Sequence, residues 1–336
     1  MGLKLAASKI PKIKLASGHL MPQVGFGLWK VAPDQTADTV YNAIKTGYRA
    51  IDGAYGYTNS VEAGRGARRA IDEGLVRRED LFITSKLWNN YHQRQHAIDM
   101  ARVEADAWGL GHLDLFLIHF PIAQRHVPLF ENRFPSWFAD KERTRPMPLA
   151  KVPISETWQA LETLVTGPSN PQGFVNSIGV SNFHTQTLYD LLSYAKIHPS
   201  VLQVEHHPYL VQPQLISMAQ ENGIAVTAYS TFGPQSFLEL DNKRALGVAP
   251  LLEVPVVKKL AEKHGRTPGQ ILLRWCTQRG IIVIPKSTKV ERMVQNLDCC
   301  SFDLTQEDLD AISALDRGLR FNDPGYSHGS PYRIFT

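Results

Sequence analysis

The sequence predicts an α/β fold, a (β/α)8 TIM barrel with an N-terminal β-hairpin, extra helices and long βα loops. Three observations predict it. Eight short apolar runs alternate with amphipathic stretches along a chain of 336 residues, the rhythm of repeated strand–helix units. Most of the runs are uninterrupted rather than alternating apolar and polar, as parallel strands buried on both faces require. No G-x-G-x-x-G occurs anywhere in the sequence, which removes the usual signature of an open dinucleotide-binding sheet but not nucleotide binding as such.

The elements follow in order. KIKLASGHLMPQ (12–23), with Gly18 between two short extended pieces, reads as a hairpin able to plug one barrel end. The strands are VGFG (24–27), YRAID (48–52), LFITSK (81–86), LDLFLIH (113–119), SIGVS (177–181), VLQVEH (201–206), IAVTAYS (224–230) and IIVIP (281–285). Helix 36–47 carries Val40, Ala43 and Ile44 on one face and stops at a glycine. Comparable segments follow at 61–74, 94–108, 154–165, 185–195, 212–222 and 289–297, and two more, 254–264 and 268–279, precede the last strand. The segment 121–152, rich in Pro, Phe and Trp, is too long for a plain connection and reads as a substrate loop. TGPSNPQG (166–173) reads as a surface insertion, and the aromatic tail 318–336 shows no helical pattern. No domain boundary stands out, so residues 1–336 are expected to form one barrel domain with a C-terminal substrate loop at about 318–336.

Composition narrows the function. Apolar residues make up 43% and charged residues 20%, ordinary for a chain with a substantial core and wrong for a disordered or fibrous one. A formal charge of +4 is too small and dispersed to predict nucleic-acid or membrane binding. Cys276, Cys299 and Cys300 are few and odd in number, without metal-ligand spacing, which fits free thiols in a reducing compartment. No signal peptide or membrane helix is recognisable, so a cytoplasmic protein, monomer or homodimer, is expected. His206-His207 tempts a metal reading, but adjacent strand residues face opposite ways and no third ligand is suitably spaced, so no metal is expected.

In such barrels the chemistry sits where the strands end. Read in order, those ends are Asp52, Lys86, His119, Ser181-Asn182, Gln203, Tyr229-Ser230 and Lys286-Ser287. One polar strand end is usually a structural cap; a consecutive series of them implies a single pocket. Asp52 and Lys86 end adjacent strands, with Tyr57 five residues past Asp52. A buried Lys beside a tyrosine favours the phenolate and would draw its pKa from ~10 toward neutrality, ~4 kcal/mol for three units. Asp52 would keep the ammonium charged, Tyr57 would serve as proton donor, and His119 would orient a carbonyl oxygen as a neutral imidazole. The same spacing also fits a buried Asp–Lys pair with a packed Tyr and His.

The blocks D-G-A-Y-G-Y-T-N (52–59), S-K-L-W-N (85–89), L-I-H-F-P (117–121), I-G-V-S-N-F (178–183) and I-P-K-S (284–287) resemble the signature blocks of the aldo-keto reductases. Matching blocks run in the right order from about residue 12 to 323. G-L-R-F-N-D-P (318–324), E-H-H-P-Y-L (205–210) and S-T-F-G-P-Q-S-F (230–237) are most similar to the fungal xylose (aldose) reductases. The resemblance implies hydride transfer from a nicotinamide to an aldehyde, with Tyr57 as general acid, Lys86 and Asp52 tuning it, and His119 orienting the substrate. It implies that Ser181, Asn182 and Gln203 hold the carboxamide and that Tyr229 stacks on the ring, with Ser230 beside it. Ser181 and Asn182 also suit a helix N-cap, and Tyr229 also suits the core.

Lys286, Ser287 and Arg292 lie in K-S-T-x-x-x-R, which runs from the last strand into a helix whose N-terminal amides favour an anion. A Lys and a forked Arg there suit the 2′-phosphate of NADPH, although Arg292 also suits a solvated surface. Asn296 and Gln295 would contact adenine. Relatives that also accept NADH often carry Asn where Thr288 stands and Glu near Glu239; this chain keeps only the latter, so NADPH is the expected cofactor with NADH a weaker alternative.

Trp29, Trp88, Phe120, Trp137 and Phe321 are candidate pocket walls, with Asn322 a hydroxyl contact, and each aromatic also suits a core position. Two departures stand out. Xylose reductases usually carry Asp directly before the catalytic Tyr, and here that residue is Gly56. Their Asn-Glu pair is Asn59-Ser60 here, although Glu62 remains. Loss of a hydroxyl acceptor weakens discrimination for polyols and puts pentose specificity in doubt. The expected function is NADPH-dependent reduction of an aldose or other aldehyde. A general aldehyde, ketone or uronate reductase, a non-catalytic relative, and a phosphate-binding barrel lyase or isomerase are the alternatives.

Overall fold

The computed structural model describes residues 10–129, 137–240, 242–327 and 332–335. Parts of the two expected substrate loops, 130–136 and 328–331, lie outside the described residues.

Each apolar run contains a strand. After a hairpin, β1 (Lys12–Lys14) and β2 (Leu20–Pro22), come β3 (Phe26–Gly27), β4 (Ala50–Asp52), β5 (Phe82–Leu87), β6 (Leu115–Ile118), β7 (Ile178–Ser181), β8 (Val201–Glu205), β9 (Ala225–Tyr229) and β10 (Ile282–Val283). The last eight pair in parallel in chain order. A parallel bridge Val24–Val283 closes the ring. There the Gly25 N–H donates to Val283 O at 2.8 Å, and the Val283 N–H to Gln23 O at 3.0 Å. Gly27 permits this seam: a Cβ on it would lie 2.6 Å from the Ile284 carbonyl oxygen.

The hairpin closes the end where the strands begin. β1 and β2 are antiparallel with Lys12 opposite Pro22, and their turn contains Gly18 at φ +87°, where only glycine is free of strain. Leu15 and Met21 are buried with Ala50, Phe82, Leu115, Leu117, Val201 and Ile282 from the barrel interior. The opposite, C-terminal mouth is thereby left for chemistry.

The barrel helices are α1 (Pro33–Thr46), α2 (Ser60–Asp72), α3 (Arg94–Trp108), α4 (Ile154–Glu162), α5 (Thr185–Tyr194), α6 (Pro213–Glu221), and, after a short α7 (Lys243–Leu246), α8 (Pro255–His264), α9 (Pro268–Thr277) and α10 (Val290–Leu297). α1 starts with proline at its first position and stops at Gly47, where φ is +128°. Trp108, Trp158 and Trp275 are fully buried in the core. α11 (Gln306–Ser313) and α12 (Pro324–Ser327) follow. The last corrects the expectation of a helix-free tail: one turn is too short to leave a periodic pattern. Among the described residues no helix is long and apolar enough to cross a membrane.

Candidate active site

Strand alternation points Asp52, Lys86 and Gln203 into the barrel, and the short strands bring them to one level at its mouth. Lys86 Nζ lies 2.6 Å from Asp52 Oδ1 and donates to Gly53 O at 2.8 Å and to the Tyr57 phenol oxygen at 3.2 Å. Gln203 Nε2 donates to the other Asp52 oxygen at 2.7 Å. Lys86 is 1% exposed and Asp52 3%, whereas Tyr57 is partly exposed. Because the ammonium donates to the phenol oxygen, the phenol hydrogen remains available to the mouth. The His119 ring stands edge-on to Tyr57, with centroids 5.9 Å apart, and its Nδ1 is buried without a hydrogen-bond partner.

The electrostatics correct one expectation. Burial pushes the Tyr57 phenol well above its usual range, and the Asp52 charge adds to the shift. The expected slide toward neutrality is opposed first by burial and then by the Asp52 charge. Tyr57 is therefore held as a neutral phenol. Burial also lowers Lys86, with Asp52 opposing the shift. His119 is driven well below the imidazole range by burial and then by the Lys86 charge. A neutral His119 is what the sequence leads one to expect.

Around this cluster lies a second set of polar groups. Asn182 adopts a left-handed backbone, φ +62°, which Asn tolerates better than most residues. Its Nδ2 donates to His119 O at 2.9 Å, and its Oδ1 accepts from Tyr229 Oη at 2.6 Å. Ser181 Oγ donates to Gln203 O at 2.8 Å. Neither Ser181 nor Asn182 caps α5; His184 holds that position, its N–H donating to Thr187 Oγ1. Tyr229 is partly exposed rather than core, and Ser230 beside it has φ +53°.

Lys286, Thr288, Arg292 and Gln295 are exposed, while Ser287 and Asn296 are buried. Neither Lys286 nor Arg292 makes an ion pair with a described carboxylate, and the N-terminus of α10 has no side-chain cap. Free cations beside uncapped amides fit a phosphate; hydroxyl and amide groups beside a partly exposed Tyr fit a carboxamide and its ring. The residues therefore fit a nicotinamide dinucleotide phosphate. Glu239 pairs with Lys30 Nζ at 2.5 Å, and Lys30 also donates to Ser236 O.

The aromatic candidates split into two walls. Trp88, His119, Phe120 and Trp137 pack together, with Trp88–Trp137 centroids at 5.2 Å and Phe120–Trp137 at 5.0 Å. Trp29 faces Phe237 at 5.6 Å, and Phe237 faces Phe321 at 5.8 Å. Phe321 is wholly buried and so backs this wall. Asn322 Nδ2 donates to Tyr229 Oη at 2.8 Å. The sequence reading misses Phe237 and the Lys30–Glu239 clasp, since each depends on a contact between distant loops. His206 stacks on Trp275 and His207 pairs with Glu205 at 2.8 Å. The two histidines thus point to different partners, and no group of three His, Cys, Asp or Glu able to hold a metal occurs among the described residues.

A closed parallel barrel with a Lys–Tyr–Asp–His cluster at its mouth and a nucleotide-shaped run of polar groups defines the class of a barrel oxidoreductase. The chain belongs to the aldo/keto reductase family, whose profile matches residues 23–317. It is 61% identical over 312 residues (93% of this chain, 95% of the relative) to an NAD(P)H-dependent pentose reductase of Pyricularia oryzae. An NAD(P)H-dependent D-xylose reductase of Aspergillus niger is 51% identical, covering 96% of this chain and 98% of the relative. Among solved structures, a Bombyx mori aldo-keto reductase in complex with NADP aligns with TM-score 0.80 at 34% identity, covering 94% of this chain and 95% of that one.

Proposed function

We propose that this chain is an NADPH-dependent aldose reductase that converts the aldehyde of a pentose such as D-xylose or L-arabinose to the alcohol. The observation that carries the reading is the buried Asp52–Lys86 pair set against the partly exposed Tyr57 phenol, with His119 beside it. Full-length similarity to pentose and D-xylose reductases supports the substrate class.

Bound reduced nicotinamide would supply a hydride to the carbonyl carbon. Ser181, Asn182 and Gln203 would hold its carboxamide and Tyr229, with Ser230 beside it, would lie against its ring. Lys286, Ser287, Thr288 and Arg292 would hold the 2′-phosphate end, Gln295 and Asn296 the adenine, and Glu239 would border the nucleotide. His119, neutral, donates a hydrogen bond that orients the carbonyl oxygen. Tyr57 gives that oxygen its proton, and Lys86, donating to the phenol oxygen, stabilises the phenolate as it forms. Asp52 fixes Lys86. Trp29, Trp88, Phe120 and Trp137 wall the substrate, Phe321 backs the wall, and Asn322 offers an amide to a sugar hydroxyl.

The whole chain, 1–336, serves as one barrel domain whose C-terminal loop borders the substrate. Every group invoked comes from one chain, so the chemistry is open to a monomer or a homodimer. Three free thiols suit a reducing compartment such as the cytoplasm. One observation favours a broader aldehyde or uronate reductase: Gly56 offers no carboxylate to a sugar hydroxyl. Ranking kcat/KM for xylose, arabinose, glyceraldehyde and a hexuronate with each cofactor decides between them. Tyr57→Phe should lower turnover by at least about 100-fold, within the range general acids contribute, while NADPH still quenches protein fluorescence. Near-normal turnover would remove Tyr57 from the acid role.

A further inference from the structure

The turn that carries Tyr57 is tied on both flanks. On one side Asn59 Nδ2 donates to Leu28 O at 3.2 Å and Val31 O at 3.0 Å. On the other stands Glu104, a carboxylate of α3 that is 2% exposed and lies outside the reaction cluster. Its Oε2 accepts from Ser60 Oγ at 2.9 Å and from Ser85 Oγ at 2.5 Å. Ser60 opens α2 three residues after Tyr57, and Ser85 precedes Lys86 on β5. By strand alternation Ser85 faces the helix layer while Lys86 faces the barrel interior. A single oxygen therefore links the turn bearing Tyr57 to the strand bearing Lys86.

The place suits negative charge. It lies at the N-terminus of α2, where Asn59 makes no side-chain cap bond and the helix dipole favours an anion. Asn59 and Ser60, which open this helix, bring no carboxylate of their own. Glu62, the acidic residue left in that segment, is spent on Arg65 at 2.9 Å on the surface. Glu104 also lies close enough behind β5 to support the Lys86 charge alongside Asp52.

We propose that Glu104 is a positioning residue of the reaction: from α3 it holds the 55–60 turn against β5 and sets the Tyr57–Lys86 contact, with its carboxylate at the N-terminus of α2. This rests on reading Tyr57 as the proton donor.

Three variants test it: Glu104→Ser, Glu104→Gln, and the exchange Ser60→Glu with Glu104→Ser. A recess of about 170 Å³ bordered by Tyr55, Ser60, Val103 and Glu104 leaves room for the exchanged side chain. Glu104→Ser should lower kcat about 10- to 100-fold at saturating NADPH and xylose, the scale of an ångström's misplacement of a reacting group. The NADPH Kd, read by fluorescence quenching, should stay within about twofold, because the cofactor contacts are untouched. The exchange should recover most of kcat. In a Tyr57→Phe background Glu104→Ser should cost nothing further, since residues acting through one step are not additive. Glu104→Gln keeps shape and one acceptor, so it answers the question if Glu104→Ser does not fold; its kcat should fall with Kd unchanged.

A normal kcat in Glu104→Gln or Glu104→Ser, with only the melting temperature lowered, would overturn the proposal, as would additive losses with Tyr57→Phe. A normally active Tyr57→Phe sinks the reading of Tyr57 itself. Inactive Tyr57→Phe with normal Glu104 variants sinks this proposal alone.

Discussion

On the proposed reading, Arg292 is the side chain that meets the adenosine end of the cofactor. It is exposed, lacks a carboxylate partner among the described residues, and sits in the first turn of α10. A guanidinium there distinguishes NADPH from NADH only through the 2′-phosphate. Arg292→Ala should therefore raise the NADPH KM about 10- to 100-fold, the value of one or two charge-assisted hydrogen bonds, and leave any NADH KM within about twofold. Equal effects on both cofactors, in steady-state assays of the purified protein, would refute the phosphate role. Tyr57 carries a different lesson at the same scale. The residue is legible in D-G-A-Y-G-Y, but the direction of its pKa shift is not. That depends first on the burial of the phenol and then on the Asp52 charge, neither of which spacing discloses.

Loops decide the shape of the mouth. The segment after β9 is drawn across to the β3–α1 connection by Lys30, which pairs with Glu239 and donates to Ser236 O. Lys30 itself stands at φ +64° and lies 4.7 Å from the Trp29 ring centroid. A strap of this kind slows escape of whatever lies beneath it. Lys30→Ala should raise the NADPH dissociation rate about 3- to 10-fold in stopped-flow fluorescence, consistent with loss of one exposed pair and one hydrogen bond. An unchanged rate would mean that the strap does not gate the cofactor. The C-terminal loop is held differently. Buried Glu205 accepts from the Phe321 and Asn322 N–H groups, each at 2.8 Å, and this brings Asn322 to Tyr229.

Across the molecule, several imidazoles are buried uncharged. Burial takes His92 from the usual 6.5 to about 4, and His119 and His206 are also driven well below their usual range. The unfolded chain protonates these groups near 6.5 and the folded one does not, so the unfolded state binds more protons in between. The stability they confer is complete above about pH 6.5 and is lost as pH falls below it, for His92 toward about 4 and by about 2 kcal/mol at pH 5. Glu205 and Asp114, whose carboxyls are lowered, act only below about pH 5. Urea midpoints should thus fall steadily from about pH 6.5 to pH 5; a flat profile would show that these rings reach water in the folded state.

The order and spacing of the apolar runs carry the barrel, its plug and most of the candidate site. Strands buried on both faces leave apolar runs, and a barrel sets its polar groups where those runs stop, so Asp52, Lys86, His119, Asn182, Gln203 and Tyr229 could be read directly. The tertiary structure alone decided three matters: that Tyr57 stays a neutral phenol, that Lys30 rather than a cofactor alone holds Glu239, and that Glu104 stands where Ser60 lacks a carboxylate. Each rests on side chains far apart in sequence meeting within about 3 Å, where burial and charge act over distances that strand and helix periodicity does not encode.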